Sequence, residues 1–163
     1  VLAADPEGIS CSATGPAFTP LELYVVILDE PCVQTVRFRI DSPAGPTMPT
    51  WLNDHIPGQI ILWGDSQTGA IVVLPPWLEP PYYVMKVTYL TLAPVESCPE
   101  FLPAPHPDAG YDELLIEDCD VVTHAIDGRG FMLNPTPDCD ECGEMTIPTE
   151  GRTWGAVKGI YGN

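Results

Sequence analysis

Val33-Gln34-Thr35-Val36-Arg37-Phe38-Arg39-Ile40-Asp41 alternates apolar and polar side chains along its length. In an extended chain Val36, Phe38 and Ile40 fall on one side and Arg37, Arg39 and Asp41 on the other, the pattern of a strand with one face buried and one in water. Upstream, residues 21–28 form an apolar, β-branched run, and Asp29-Glu30-Pro31 reads as the turn folding it onto residues 33–41 as a hairpin. Downstream, residues 59–63 and 70–74 flank Gly64-Asp65-Ser66-Gln67-Thr68-Gly69, a second hairpin with a glycine at each end of its loop. Residues 82–92 are the longest strand candidate, with Tyr83, Met85, Val87 and Tyr89 expected on one face and Lys86 and Thr88 on the other. A third hairpin is expected from residues 121–126 and 131–133 around Asp127-Gly128-Arg129-Gly130. Only residues 111–118 suggest a helix, through Asp112 and Glu113 at its start. Short strands recurring with turn residues between them indicate an all-β chain folded as an antiparallel β-sandwich.

Composition agrees. The 163 residues include 20 prolines and 14 glycines, and few gaps between the prolines would hold a long helix. Residues 42–49, 74–81 and 94–107 are proline-rich and read as extended surface loops. With 45% hydrophobic residues the chain can bury a core, which argues against disorder. Its 23 acidic and 6 basic side chains leave a formal charge of −17. Such a surface repels nucleic-acid phosphates and anionic lipid, so neither is an expected partner. No apolar run approaches the roughly 20 residues of a membrane-spanning helix, and membrane insertion is not expected.

An even set of six cysteines, Cys11, Cys32, Cys98, Cys119, Cys139 and Cys142, argues for disulfides and a secreted, extracellular or cell-surface address. Proximity in sequence favours Cys11 with Cys32, Cys98 with Cys119, and Cys139 with Cys142. Cys139-Asp140-Glu141-Cys142 has the C-x-x-C spacing of redox and zinc sites, but the surrounding carboxylates raise thiol pKa values and no second such pair exists. Val1-Leu2-Ala3-Ala4 reads either as the end of a secretion signal or as a first strand. The expected division is an N-terminal extension over residues 1–10, a sandwich domain over 11–148 and a C-terminal tail over 149–163.

Candidate sites are sparse. Gly64-Asp65-Ser66 after an apolar run resembles the nucleophile block of GDS-type esterases, but the chain lacks their Asp-x-x-His block, and a hairpin loop is the expected role. His55, His106 and His124 are scattered singly, and no enzymatic activity is expected. Asp138, Asp140 and Glu141, with Glu144, or Glu117, Asp118 and Asp120, are weak Ca²⁺ candidates; no other cofactor is expected. Thr19, Thr47, Thr50, Thr136 and Thr149 lie near prolines and are O-glycan candidates. Trp51, Trp63, Trp77 and Tyr82 are candidate platforms for stacking carbohydrate, with core packing the more usual fate of Trp63.

The tail Trp154-Gly155-Ala156-Val157-Lys158-Gly159-Ile160-Tyr161 places Trp154, Ala156 and Ile160 on one strand face and Val157 and Tyr161 on the other. With Val36-Arg37-Phe38-Arg39-Ile40, Cys98-Pro99 and Glu117-Asp118-Cys119-Asp120, it resembles a group of secreted bacterial β-sandwich proteins ending in Trp-Gly-x-Val/Ile-Lys-x-Leu/Ile-Tyr. The resemblance implies an Ig-, cohesin- or pilin-like architecture and display or assembly outside the cell; it brings no catalytic residues. The expected function is therefore a structural subunit of an extracellular filament or surface assembly, a homopolymer built by donating a terminal strand to a neighbour's sheet edge. The alternative is a secreted carbohydrate-binding or adhesive module with glycan partners.

Overall fold

A computed structural model describes residues 1–95, 97–110 and 112–139. Twelve strands occur among them: β1 Leu2–Ala3, β2 Ser12–Ala13, β3 Pro20–Ile27, β4 Thr35–Asp41, β5 Thr50–His55, β6 Ile61–Asp65, β7 Gly69–Val73, β8 Tyr82–Leu90, β9 Glu100–Ala104, β10 Leu114–Glu117, β11 Thr123–Ile126 and β12 Phe131–Leu133. One sheet has the order β1-β3-β8-β5. The other runs β11-β10-β4-β9-β12-β2, with β7 also on β4 and β6 on β7. All pairings are antiparallel except that of β12 with β2. The chain is an all-β sandwich.

The alternation in residues 33–41 places β4 at the hub of the second sheet. Its Thr35–Phe38 half pairs with β7, residues 35–37 also pair with β10, and Arg39–Asp41 pairs with β9. Val36, Phe38 and Ile40 are buried while Arg37 and Arg39 are half-buried on the other face. From the first sheet, Leu21, Leu23, Val25 and Ile27 meet Met85, Val87 and Tyr89 in one core with them. Tyr89 bridges the sheets, its ring edge-on to Phe101 at 4.9 Å, and Phe131 continues the aromatic row at 6.3 Å.

Several local expectations are corrected. Residues 21–28 and 33–41 are not a hairpin, because β3 pairs with β1 and β8 in one sheet while β4 lies in the other. Both strands turn an apolar face to the same core, so burial is satisfied equally by either arrangement. Residues 121–126 and 131–133 separate too: β11 pairs with β10, and β12 with β9 and β2. The proposed helix over 111–118 contains strand β10, whose Leu115 and Ile116 complete the edge of β4. Four residues make a strand but barely one helical turn. Residues 1–10 are not a free extension, since Leu2 and Ala3 are fully buried and paired with Val25 and Tyr24 of β3. Residues 94–107 are likewise not all loop, for β9 runs through Pro103 opposite Ile40.

On β8 a bulge opposite Val25 and Val26 buries Val84 and Met85 in succession. Tyr83 consequently leaves the core face and packs on Tyr24 outside, their ring centres 5.5 Å apart.

The β6–β7 hairpin forms as expected, with Gly64 opposite Ala70 and Asp65 opposite Gly69. Gly64 has φ +77°, and a Cβ there would stand 2.1 Å from the Gly69 carbonyl oxygen. Gly64→Ala is expected to destabilise the fold by about 2 kcal/mol, from left-handed strain and the forced opening of this pair. Chemical denaturation of the two proteins measures it.

Candidate functional site

The hairpin loop after β6 anchors a polar cluster under the end of the sandwich. Ser66 is fully buried. Its backbone N–H donates to Asp54 Oδ2 at 2.6 Å and its hydroxyl to Asp54 Oδ1 at 2.7 Å, while the Trp51 indole N–H reaches the same Oδ1 at 3.0 Å. Gln67 Nε2 donates to the Ser66 hydroxyl at 3.0 Å and to the Tyr89 hydroxyl at 2.9 Å, and Ser42 closes the ring to Gln67 Oε1 and Tyr89. Asp54 on β5 and Ser66 beyond β6 stand in different sheets, so the network ties the two together.

This is a structural cluster in its chemistry. A nucleophilic serine needs an adjacent base and an open face, whereas the Ser66 hydroxyl is committed to Asp54 and Gln67 and shut from solvent. His106 Nδ1 accepts from the Asp108 N–H, and the His106 ring lies against Gly69. His124 bonds Asp118 at 2.6 Å in an exposed position. Asp65 arranges the loop: burial raises its pKa, but the Thr68 N–H and hydroxyl and the Gln67 N–H outweigh this and hold it below the usual carboxylate range.

The cysteines pair otherwise than proximity suggests. Cys32 is bonded to Cys119 and Cys98 to Cys139, and Cys11 is also disulfide-bonded. All three proximity pairings are thereby corrected, and Cys139-Asp140-Glu141-Cys142 is not a C-x-x-C redox pair. Spatial adjacency between sheets decided the partners: the loop after β3 lies beside the β10–β11 turn. These disulfides accord with an oxidising, extracellular compartment.

Among the described residues no group of three or more His, Cys, Asp or Glu side chains gathers to hold a metal ion. Asp118 takes the Asp120 and Val122 N–H groups on Oδ1 and His124 on Oδ2, which shape its own turn. Asp138 is exposed, and Asp140 and Glu141 lie outside the described residues. Of the glycan candidates, Thr50 is exposed, Thr19 turns its hydroxyl to the Pro16 carbonyl, and Thr47 and Thr136 are half-buried. Thr149 and the tail residues Trp154, Ala156, Val157, Ile160 and Tyr161 lie outside the described residues, as does Cys142.

The four aromatic platforms are sorted by burial. Tyr82 is buried, with its hydroxyl donating to the Pro31 carbonyl at 3.1 Å. Trp51 is half-buried over Asp54. Trp63 and Trp77 are the exposed ones, at 57% and 66%. For Trp63 this reverses the core expectation: among the described residues β6 is an edge strand, and its alternate residues Ile61 and Trp63 are exposed, across from Val73 and Ile71 on β7. Trp77 stands in a cleft of about 420 Å³ between the start of β6 and the segment leading into β8.

These features share one stretch of sequence. Between His55 and Glu79 the only charged residue is Asp65, in a chain of formal charge −17. The β6–β7 hairpin and its flanks therefore carry a single charge, Asp65, and expose Ile61, Trp63 and Trp77 on an otherwise acidic molecule. Depletion of charge with exposed Trp and Ile is the composition of an interface core. The pattern was legible in the sequence as a gap between charges; its exposure was not.

No family model matches the chain, and no curated protein does. Among solved structures the chain is similar to the cohesin module from Clostridium perfringens ATCC13124 family 33 glycoside hydrolase, with a TM-score of 0.45 and 12% identity over 78% of this chain and 93% of that one.

Proposed function

We propose that this protein is an extracellular adhesive or surface module that assembles with copies of itself, the tail of one copy adding as a strand to the β6 edge of the next. The observation that carries this reading is the β6 edge itself. Among the described residues β6 pairs only with β7, so its second row of backbone N–H and C=O groups is open, and Ile61 and Trp63 stand exposed beside it. Protected proteins blunt such edges with charge or proline; β6 carries neither before Asp65.

Charge supports the same pairing. Residues 152–163 contain Arg152 and Lys158 and none of the 23 acidic residues, so the tail is cationic while the body carries all the negative charge. Main-chain hydrogen bonds would supply affinity, and Trp154 and Ala156, two residues apart on one strand face, would stand opposite Ile61 and Trp63. Body-to-body repulsion is screened beyond about 8 Å at physiological salt, so association should strengthen from low salt to physiological salt. Leu2 and Ala3 are already paired with Val25 and Tyr24 of β3, which supports the tail over the N-terminal segment as the donor.

Sedimentation velocity on the full chain is the test. Deleting residues 152–163, or introducing Ile61→Lys at the acceptor edge, is expected to leave a folded monomer where the parent chain associates. Association that survives either change at parent strength would refute strand donation to β6.

A further inference from the structure

We infer that the Trp77 cleft is a binding site for a neutral saccharide. Its lining combines the buried Ile60 and Tyr82 with the exposed Trp77. Pro57, Pro75 and Pro81 form its sides, and each ring fixes the backbone at its own position, so the cleft is largely pre-formed. At about 420 Å³ it falls within the size range of small-molecule sites, roughly 300–1,000 Å³.

The occupant follows from the chemistry of the lining. An indole left 66% exposed offers a flat, electron-rich face, which suits the C–H groups on one side of a pyranose ring. The other polar residues of the lining are Gln59, Glu79 and Tyr83, with Gln59 and Glu79 exposed. Together they supply donors and acceptors at separate points, as a ring of hydroxyls requires. The lining holds no Lys, Arg or His, and its single charge is Glu79. An acidic sugar, a phosphate or a sulfate would enter without a counter-charge against a molecule of formal charge −17. A purely apolar ligand would make no use of the amide and carboxylate beside the indole, whereas sugar hydroxyls can hydrogen-bond to both.

The cleft adjoins the start of β6 through Gln59 and Ile60, but Trp77 lies outside that strand, in the loop between β7 and β8, so its replacement tests the saccharide site apart from strand addition. The experiment titrates the full chain with soluble neutral hexasaccharides of glucose, xylose, mannose and N-acetylglucosamine, and with a galacturonate hexamer as the anionic control, following tryptophan fluorescence and heat. At least one neutral hexamer is expected to bind, and Trp77→Ala to weaken it by about tenfold or more. Trp63→Ala should leave that affinity unchanged, and Trp77→Ala should leave self-association unchanged. Because Trp77 is exposed, its replacement is not expected to unfold the chain, which circular dichroism checks. The inference is overturned if no neutral hexamer binds, if Trp77→Ala leaves binding intact, if Trp63→Ala abolishes it, or if the galacturonate hexamer binds as well as the best neutral one.

Discussion

Cys32→Ser or Cys119→Ser is expected to lower stability by about 4–5 kcal/mol. The bond joins residues 87 apart in sequence, so in the unfolded chain it closes most of the molecule into one loop. It removes more chain entropy than the 41-residue separation spanned by Cys98–Cys139, although the dependence on length is logarithmic. Its position adds to the effect. Cys32 lies in the connection that carries the chain from one sheet to the other, and Cys119 in the β10–β11 turn at the margin of the second sheet. Reduction therefore releases both the crossover and the edge strand β11. For a chain of this size the expected fall in melting temperature is about 10 °C or more. Thermal unfolding of the two variants, with Cys98→Ser for comparison, measures it; a change below about 1 kcal/mol would show that sheet pairing alone holds the crossover.

Asp54→Ala is expected to destabilise the chain by about 3 kcal/mol, because it strands three donors at once. The Ser66 N–H, the Ser66 hydroxyl and the Trp51 indole N–H all terminate on this carboxylate, at 2.6, 2.7 and 3.0 Å. Ser66 is shut from water, so its N–H has no alternative acceptor there. Ser66→Ala should lose less, about 1–2 kcal/mol, since the backbone bond to Asp54 survives. The double variant should be less unstable than the sum of the two, since each removes part of the same network. Denaturant titration of the four proteins gives the coupling directly. Strict additivity would mean that the residues do not act as a unit.

The candidate surface was partly readable before any tertiary structure. The loop glycines at 64 and 69 marked the β6–β7 hairpin correctly, and the run between His55 and Glu79 with Asp65 as its single charge is visible in the sequence. What could not be read was which tryptophan faces water. Trp63 follows the apolar run Ile60-Ile61-Leu62 and looks like core, yet among the described residues β6 is an edge strand and nothing covers its Ile61 and Trp63 side chains. Trp51, by contrast, is half-covered because its indole N–H finds Asp54, three residues away in sequence. Exposure belongs to the position of a strand in its sheet, and that position is not written in the strand's own residues.

The same division runs through the whole chain. Local chemistry determined the class: alternation in residues 33–41, proline spacing and turn glycines left only an all-β sandwich, and the composition determined its acidity and its disulfides. The tertiary structure decided the partners: β3 with β8 rather than β4, β11 with β10 rather than β12, Cys32 with Cys119 rather than Cys11. The physical reason is that a period-two pattern specifies which side of a strand is buried, and the strands on either side of each choice, β3, β4, β8, β10 and β12, all bury apolar side chains in one shared core. Many pairings meet that requirement equally, and the choice among them rests on contacts between residues far apart in sequence.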